Sequence, residues 1–191
     1  MKVGRITLSD RAYTGVYEDR SGPEIERVIE EIFVDPIEFV RVLLPDEEHH
    51  LVEALCRLAD RDDCALAVTT GGTGPAPRDV TPEATRRVLQ KELPGFGEIM
   101  RARSYARVPT AILSRATAGI RGRCLIINLP GRPSAVQECL SLLGPAIAEC
   151  LDHIRGFRPR LREQLRGREE GPCPEATQGN GRPGEPGKEA G

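Results

Sequence analysis

Between Thr69 and Glu83 the chain reads Thr-Thr-Gly-Gly-Thr-Gly-Pro-Ala-Pro-Arg-Asp-Val-Thr-Pro-Glu. Gly71, Gly72 and Gly74 permit positive φ and close backbone approach. Consecutive N–H groups in such a turn can form a nest for phosphate oxygens. No Gly-Lys-Ser/Thr follows, so this is not a Walker loop, and the third glycine of the dinucleotide fingerprint is absent. Read alone, the segment is equally a glycine-rich tight turn. Asp79, five residues beyond Gly74, adds a hard carboxylate oxygen of the kind Mg²⁺ prefers. Nest and carboxylate together point to a nucleotide.

Three more polar turns carry candidate chemistry: Ser9-Asp10-Arg11, Pro45-Asp46-Glu47 and Asn128-Leu129-Pro130-Gly131. Asp46 also suits the N-cap of a helix beginning at Glu47, and Asp10 suits a cap or a turn. Neither Ser9 nor any cysteine has a His–carboxylate partnership, so a covalent nucleophile is not indicated. His49 and His50, adjacent in a helical stretch, are expected to face different directions and to be poor joint metal ligands.

These turns follow predicted strands. Val3–Leu8, Phe39–Leu44, Cys64–Thr69 and Arg123–Asn128 read as strands, the last two as continuous apolar runs buried on both faces. Pro23–Phe33 carries Ile25, Val28, Ile29 and Ile32 at helical spacing, and Glu47–Ala59 carries Leu51, Val52, Leu55 and Leu58. Thr81 is placed as the N-cap of a helix with Pro82 at its first position, and helical segments continue to Arg107. Ser134–Ile154 is a long helix expected to break or kink at Gly144-Pro145. Such alternation predicts an α/β fold, a doubly wound, mostly parallel sheet in three αβα layers. Ligands then bind beyond the carboxyl ends of the strands, where all four polar turns converge.

The 191 residues contain 39% hydrophobic and 29% charged side chains and no Trp, so a soluble domain with an aliphatic core is expected. Arg supplies 24 of the 27 positive side chains against 29 acidic ones; the net charge of −2 disfavours non-specific nucleic-acid binding. No apolar run approaches the roughly 18 residues of a membrane span, and the N-terminus reads as a strand rather than a signal peptide. The six cysteines include no Cys-x-x-Cys pair and look like small buried hydrophobes in a reducing, cytoplasmic compartment. From Gly167 to Gly191, seven Gly, four Pro and no hydrophobic periodicity predict a disordered tail. The domain is assigned to residues 1–158, with a transition over 159–166.

The strings Thr70-Gly71-Gly72-Thr73-Gly74-Pro75 and Arg78-Asp79-Val80-Thr81-Pro82-Glu83 resemble the signature of the molybdopterin adenylyltransferase (MogA/MoaB) family. Leu8–Arg11, Leu44–Glu47, Pro94–Glu98, Pro109–Arg115 and Asn128–Pro133 match further blocks in the family's order, covering nearly all of residues 1–155. The resemblance implies a homotrimeric αβα enzyme that uses ATP and Mg²⁺ to adenylylate the terminal phosphate of molybdopterin, releases pyrophosphate, and hands its product to a molybdenum insertase. It implies that Asp46 and Asp79 are the essential acidic, catalytic positions and the candidate Mg²⁺ ligands. Gly71, Gly72, Thr73 and Gly74 would approach phosphates, while Ser9, Asp10, Thr70, Thr81, Ser114, Arg115, Asn128, Pro130 and Gly131 would line the nucleotide and pterin pockets. CinA-type domains, associated with nucleotide pyrophosphate hydrolysis, share a similar Thr-Thr-Gly-Gly turn, and a non-catalytic pterin-binding scaffold is the third reading. The Pro94–Glu98 and Ser114-Arg115 blocks favour the adenylyltransferase.

Overall fold

Apolar runs of five to seven residues are too short for buried helices and long enough to cross a sheet. In the computed structural model, which describes residues 1–163, they do so. The elements are β1 (Lys2–Leu8), α1 (Asp10–Tyr13), α2 (Ser21–Ile32), β2 (Glu38–Leu44), α3 (Glu48–Asp60), β3 (Leu66–Thr70), α4 (Thr81–Val88), β4 (Lys91–Glu92), α5 (Pro94–Tyr105), a 3₁₀ turn (Pro109–Leu113), β5 (Ala118–Arg121), β6 (Cys124–Leu129) and α6 (Pro133–Arg155). The sheet order is β2-β1-β3-β6-β5-β4. The first four strands are parallel and the last two antiparallel. The segment 167–191 expected to be disordered lies outside the described residues.

Side chains alternate across the sheet and sort into two apolar layers. Leu66 and Val68 of β3 and Leu125 and Ile127 of β6 meet Ile25, Val28, Ile29 and Ile32 of α2 and Leu140, Leu143 and Ile147 of α6. On the opposite face, Ala67 and Ile126 meet Leu51, Leu55 and Leu58 of α3 and Ala84 and Val88 of α4. This is the expected three-layer αβα arrangement.

Three local expectations change. Arg123–Asn128 reads as a lone strand in the sequence; β6 instead follows β5 in a hairpin whose turn holds Gly122 at φ +56. β4 pairs antiparallel with β5 and interrupts the stretch expected to be helical as far as Arg107. Second, α6 does not break: its buried residues keep helical spacing from Val136 to Leu151 across Pro145. Gly144 there lets α6 close on α2, since a Cβ would stand 2.9 Å from Ile32 Cγ2. Third, Val80 rather than Thr81 bounds α4, and Thr81 is its first helical residue.

The start of α2 is anchored by charge. Arg5, on β1, donates to Asp19 Oδ2 at 2.8 Å and Glu26 Oε1 at 2.9 Å. Asp19 also accepts from Thr7 Oγ1 at 2.9 Å and from the Gly22 N–H at 2.9 Å. A Cβ at Gly22 would overlap the Arg5 guanidinium and lie 2.5 Å from Asp19 Oδ2 and 2.7 Å from Thr7 Oγ1. Gly22→Ala is therefore expected to destabilise the fold by about 1–3 kcal/mol through overpacking. Urea unfolding reads this as a lower midpoint at unchanged slope; an unaltered midpoint would contradict the packing.

Candidate active site

Four parallel strands end on one edge, and the loops after β1, β2, β3 and β6 meet there. The β3–α4 loop has almost no apolar anchor, so its shape is set by hydrogen bonds to its carbonyls. Thr81 Oγ1 donates to Gly71 O at 2.8 Å, while Thr70 Oγ1 reaches out to Pro130 O of the β6–α6 loop at 2.8 Å. The Thr81 N–H bonds Gly72 O at 3.0 Å, and the Arg115 N–H bonds Thr73 O at 2.8 Å. Arg115 donates through Nε to Gly74 O at 2.9 Å and through Nη2 to Asp79 O at 2.6 Å, and its Nη1 pairs with Glu83. Gly71 and Gly72 adopt φ +97 and +61. Any Cβ would overlap Leu8 O at Gly71, and at Gly72 would lie 2.5 Å from Thr81 Oγ1. Gly74 is small for another reason, because the Asp79 carboxylate packs against its Cα. Among the described residues the N–H groups of Gly71, Gly72, Thr73 and Gly74 have no protein acceptor, the state an anion cradle requires.

Beside this loop the carboxylates gather. Asp10 and Asp46 cap each other: the Asp10 N–H donates to Asp46 Oδ2 at 3.1 Å and the Asp46 N–H to Asp10 Oδ1 at 3.0 Å. Arg78, from the glycine loop, donates to Asp10 Oδ2 at 2.6 Å. The Asp46 N–H and Arg78 hold the Asp10 carboxyl below its ordinary value. Asp46 is pushed up, first by burial, then by the charges of Asp10 and Asp79. Asp79 Oδ2 accepts the Ala76 N–H at 2.9 Å, closing the turn. The alternatives of cap and ligand thus merge, since Asp10 and Asp46 cap backbone and still present oxygens to one cluster.

Several expected pocket residues act from beneath. Asn128 is fully buried and its Nδ2 donates to Thr69 Oγ1 at 3.0 Å and Thr85 Oγ1 at 2.8 Å. The buried side chains of Thr70 and Thr81 and the guanidinium of Arg115 are engaged with the loop backbone rather than facing a pocket. Ser9 Oγ accepts the Ala12 N–H at 3.2 Å, capping α1. Thr73, Gly74, Ser114, Pro130 and Gly131 do line a cleft of about 400 Å³, completed by α5 and the start of α6. Ser21 Oγ reaches across to Gly131 O at 2.7 Å. Sequence reasoning missed Arg101 in this cleft, whereas Arg132 belongs to the Asn128–Pro133 loop expected to line the pockets. Arg101 holds Ala116 O at 3.0 Å, whereas the exposed Arg132 has no ionic partner among the described residues. Its position directly before a helix N-terminus was the available signal. Cys139 also lines the cleft, but burial pushes its thiol up to about 11, so it is no nucleophile at neutral pH.

The imidazoles of His49 and His50 do not diverge as expected. Their ring centroids lie 3.9 Å apart.

A mostly parallel αβα sheet thus carries, at its carboxyl edge, a glycine-rich loop with free N–H groups beside a carboxylate cluster. The family model described as "Probable molybdopterin binding domain" matches residues 4–149, and the chain belongs to that family. A Helicobacter pylori (strain J99) protein named molybdopterin adenylyltransferase is 51% identical over 162 residues, spanning 85% of this chain and 92% of its own. The crystal structure of the molybdopterin biosynthesis enzyme MoaB from Thermus thermophilus superposes with a TM-score of 0.76 at 40% identity, covering 83% of this chain and 99% of that one. A CinA protein from Thermoplasma acidophilum, at TM-score 0.59 and 18% identity, shares the fold alone.

The carboxylate crowding has a measurable sign. Asp46→Asn keeps an oxygen for the Asp10 N–H and removes one charge. Because the folded state raises the Asp46 carboxyl, it binds that proton more tightly than the unfolded chain. Wild-type stability is therefore lost relative to the variant as pH rises through that elevated value. Asp46→Asn is expected to melt at or above the wild-type temperature at neutral pH and to converge with it in acid. A variant that melts lower at neutral pH would contradict the repulsion.

Proposed function

We propose that this chain is a molybdopterin adenylyltransferase, a nucleotidyltransferase that moves AMP from ATP to the terminal phosphate of molybdopterin. A phosphate oxygen of the pterin attacks the α-phosphorus, the bond to the bridging oxygen of the β-phosphate breaks, and pyrophosphate leaves. The observation that carries this reading is the run of unpartnered N–H groups from Gly71 to Gly74 facing the same edge as Asp10, Asp46 and Asp79. The relatives' names agree with it.

The reaction asks for position and charge neutralisation rather than a protein nucleophile. The glycine N–H groups are suited to hold phosphate oxygens, and Arg132 adds a cation at the cleft mouth. Arg115 keeps the loop in shape from behind. The donor set fits a hard cation: Asp46 and Asp79, with Asp10 beside them, would hold Mg²⁺, since burial first, and then the charges of Asp10 and Asp79, raise Asp46 despite Arg78. When bound, the ion supplies positive charge to the transferring phosphate. Other parts of the same reading are a homotrimer, for which exposed Tyr105, Ile112 and Leu113 offer apolar surface, transfer of product to a molybdenum insertase, and a cytoplasmic setting. The five described cysteines are all free, as a reducing compartment requires, and no described helix is long and apolar enough to cross a membrane.

The direct test incubates the full chain with ATP, molybdopterin and Mg²⁺ and follows pyrophosphate and adenylyl-molybdopterin. Pyrophosphate release is expected only when the pterin is present; nucleotide cleavage without it would favour hydrolysis instead. Asp79→Asn preserves an acceptor for the Ala76 N–H, so the loop keeps its turn while the charge is lost. Single-turnover transfer is expected to fall by about 10²–10³ with little change in melting temperature. Wild-type turnover with unchanged Mg²⁺ dependence would reduce Asp79 to a turn residue.

A further inference from the structure

We propose that Glu47, His49 and His50, at the first turn of α3, form a binding site for a divalent transition-metal ion, distinct from the hard-oxygen carboxylate cluster beside it. On an ideal helix adjacent side chains point about 100° apart, and that geometry alone would separate these imidazoles. Here the turn is different because Glu47 lies outside the helix, with extended backbone at φ −130 and ψ 129. Its carboxylate folds back over the first turn. Oε2 of Glu47 stands 3.6 Å from Nδ1 of His49 and 3.8 Å from Nδ1 of His50. The three donor atoms all lie within 4.8 Å of one another.

Those separations are too long for hydrogen bonds, though within ion-pair range of a protonated imidazole. They do suit a shared ion. Metal bonds of about 2.0–2.1 Å at a tetrahedral angle place donor atoms about 3.4 Å apart. The two Glu47–His separations need close by only a few tenths of an ångström. A second, independent observation concerns His50, whose Nδ1 is buried and has no hydrogen-bond partner. A buried ring nitrogen without a partner is unfavourable, and this one faces the Glu47 carboxylate. An ion bound to Nδ1 would satisfy that nitrogen and leave Nε2 with the proton. The positive end of α3 opposes a cation here, and the formal charge of Glu47 outweighs it.

The donor chemistry selects the ion. Two imidazole nitrogens and one carboxylate suit Zn²⁺, Ni²⁺, Co²⁺ or Cu²⁺, whereas Mg²⁺ prefers all-oxygen donors such as Asp10, Asp46 and Asp79. Three protein ligands leave a position for water, and the side chains are 40–64% exposed, so the site opens to solvent.

The test uses the full chain, stripped with a chelator and titrated with Ni²⁺ by calorimetry and with Co²⁺ by visible absorption. We expect one equivalent of Ni²⁺ per chain, retained in excess Mg²⁺, and a Co²⁺ spectrum without thiolate charge-transfer bands. His49→Ala and His50→Ala should each weaken binding by at least about tenfold. His153→Ala, which alters the third histidine, paired with Glu149 on α6, should leave it intact. His49→Gln, at the most exposed position, supplies a second variant whose fold is not at risk. Melting temperature should rise with Ni²⁺ in the wild type and not in the His49 variants. No saturable binding, binding that survives loss of both His49 and His50, thiolate bands, or displacement by Mg²⁺ would each overturn the proposal.

Discussion

Everything at the carboxyl edge depends on a loop that cannot hold itself. From Gly71 to Asp79 there is no large apolar side chain to bury, and two residues adopt positive φ. The hydrophobic effect therefore gives this segment little, and its ordering entropy must be offset by hydrogen bonds. Apart from the Ala76–Asp79 turn, the bonds that reach the loop from outside fall on its carbonyls: Thr81 on Gly71 and Gly72, and Arg115 on Thr73, Gly74 and Asp79. Holding the loop by its acceptors leaves the N–H groups from Gly71 to Gly74 free. That asymmetry turns a glycine-rich turn into an anion cradle. It also explains why Gly71 has no substitute, because its Cα lies against Leu8 O with no space for a Cβ.

The sheet supplies the second constraint. In the order β2-β1-β3-β6, the chain winds outward from β1 to β2 on one side and through β3 to β6 on the other. Crossovers on the two sides lie on opposite faces, so the loops after β1 and β3 part and leave a crevice. Asp10 and Asp46 enter this crevice from β1 and β2, and Arg78 and Asp79 enter it from the β3 loop. Two apolar layers make the strands rigid enough to hold these groups in register, which the reciprocal Asp10–Asp46 caps require.

Much of this was legible in the residues. Continuous apolar runs marked β3 and β6, helical spacing marked α2 and α3, and the polar turns marked the edge. Legibility ended where tertiary contact, not local pattern, decides. Lys91-Glu92 has no strand periodicity, and β4 exists only because β5 offers it an edge. Pro145 reads as a breaker, but α6 is held on both sides of it by buried residues at helical spacing. Thr81 reads as a cap and Arg115 as a pocket-lining residue, because hydroxyl and guanidinium chemistry fits either assignment. Only the position of Gly71 O and Gly74 O, far away in sequence, decides that both serve the loop. The histidine pair departs from expectation for the same reason, since ideal helix geometry does not include a side chain entering from an extended residue before the first turn.

The balance of charge at the edge connects geometry to chemistry. The free N–H groups of the glycine loop would attract an anion, while three carboxylates a short distance away would repel it. The Asp46 N–H and then Arg78 resolve part of the conflict, holding Asp10 below its ordinary value. They do not resolve all of it, because Asp46 stays raised by burial and by its acidic neighbours. A site whose own cations leave one carboxyl unsatisfied gains from receiving positive charge together with an anionic substrate, and each then favours the other's binding. Charge placed in this way, on groups already fixed by backbone caps, needs no rearrangement when negative charge shifts along a transferring phosphate. In the proposed transfer, the caps that looked like an alternative to catalysis would hold those carboxylates ready for it.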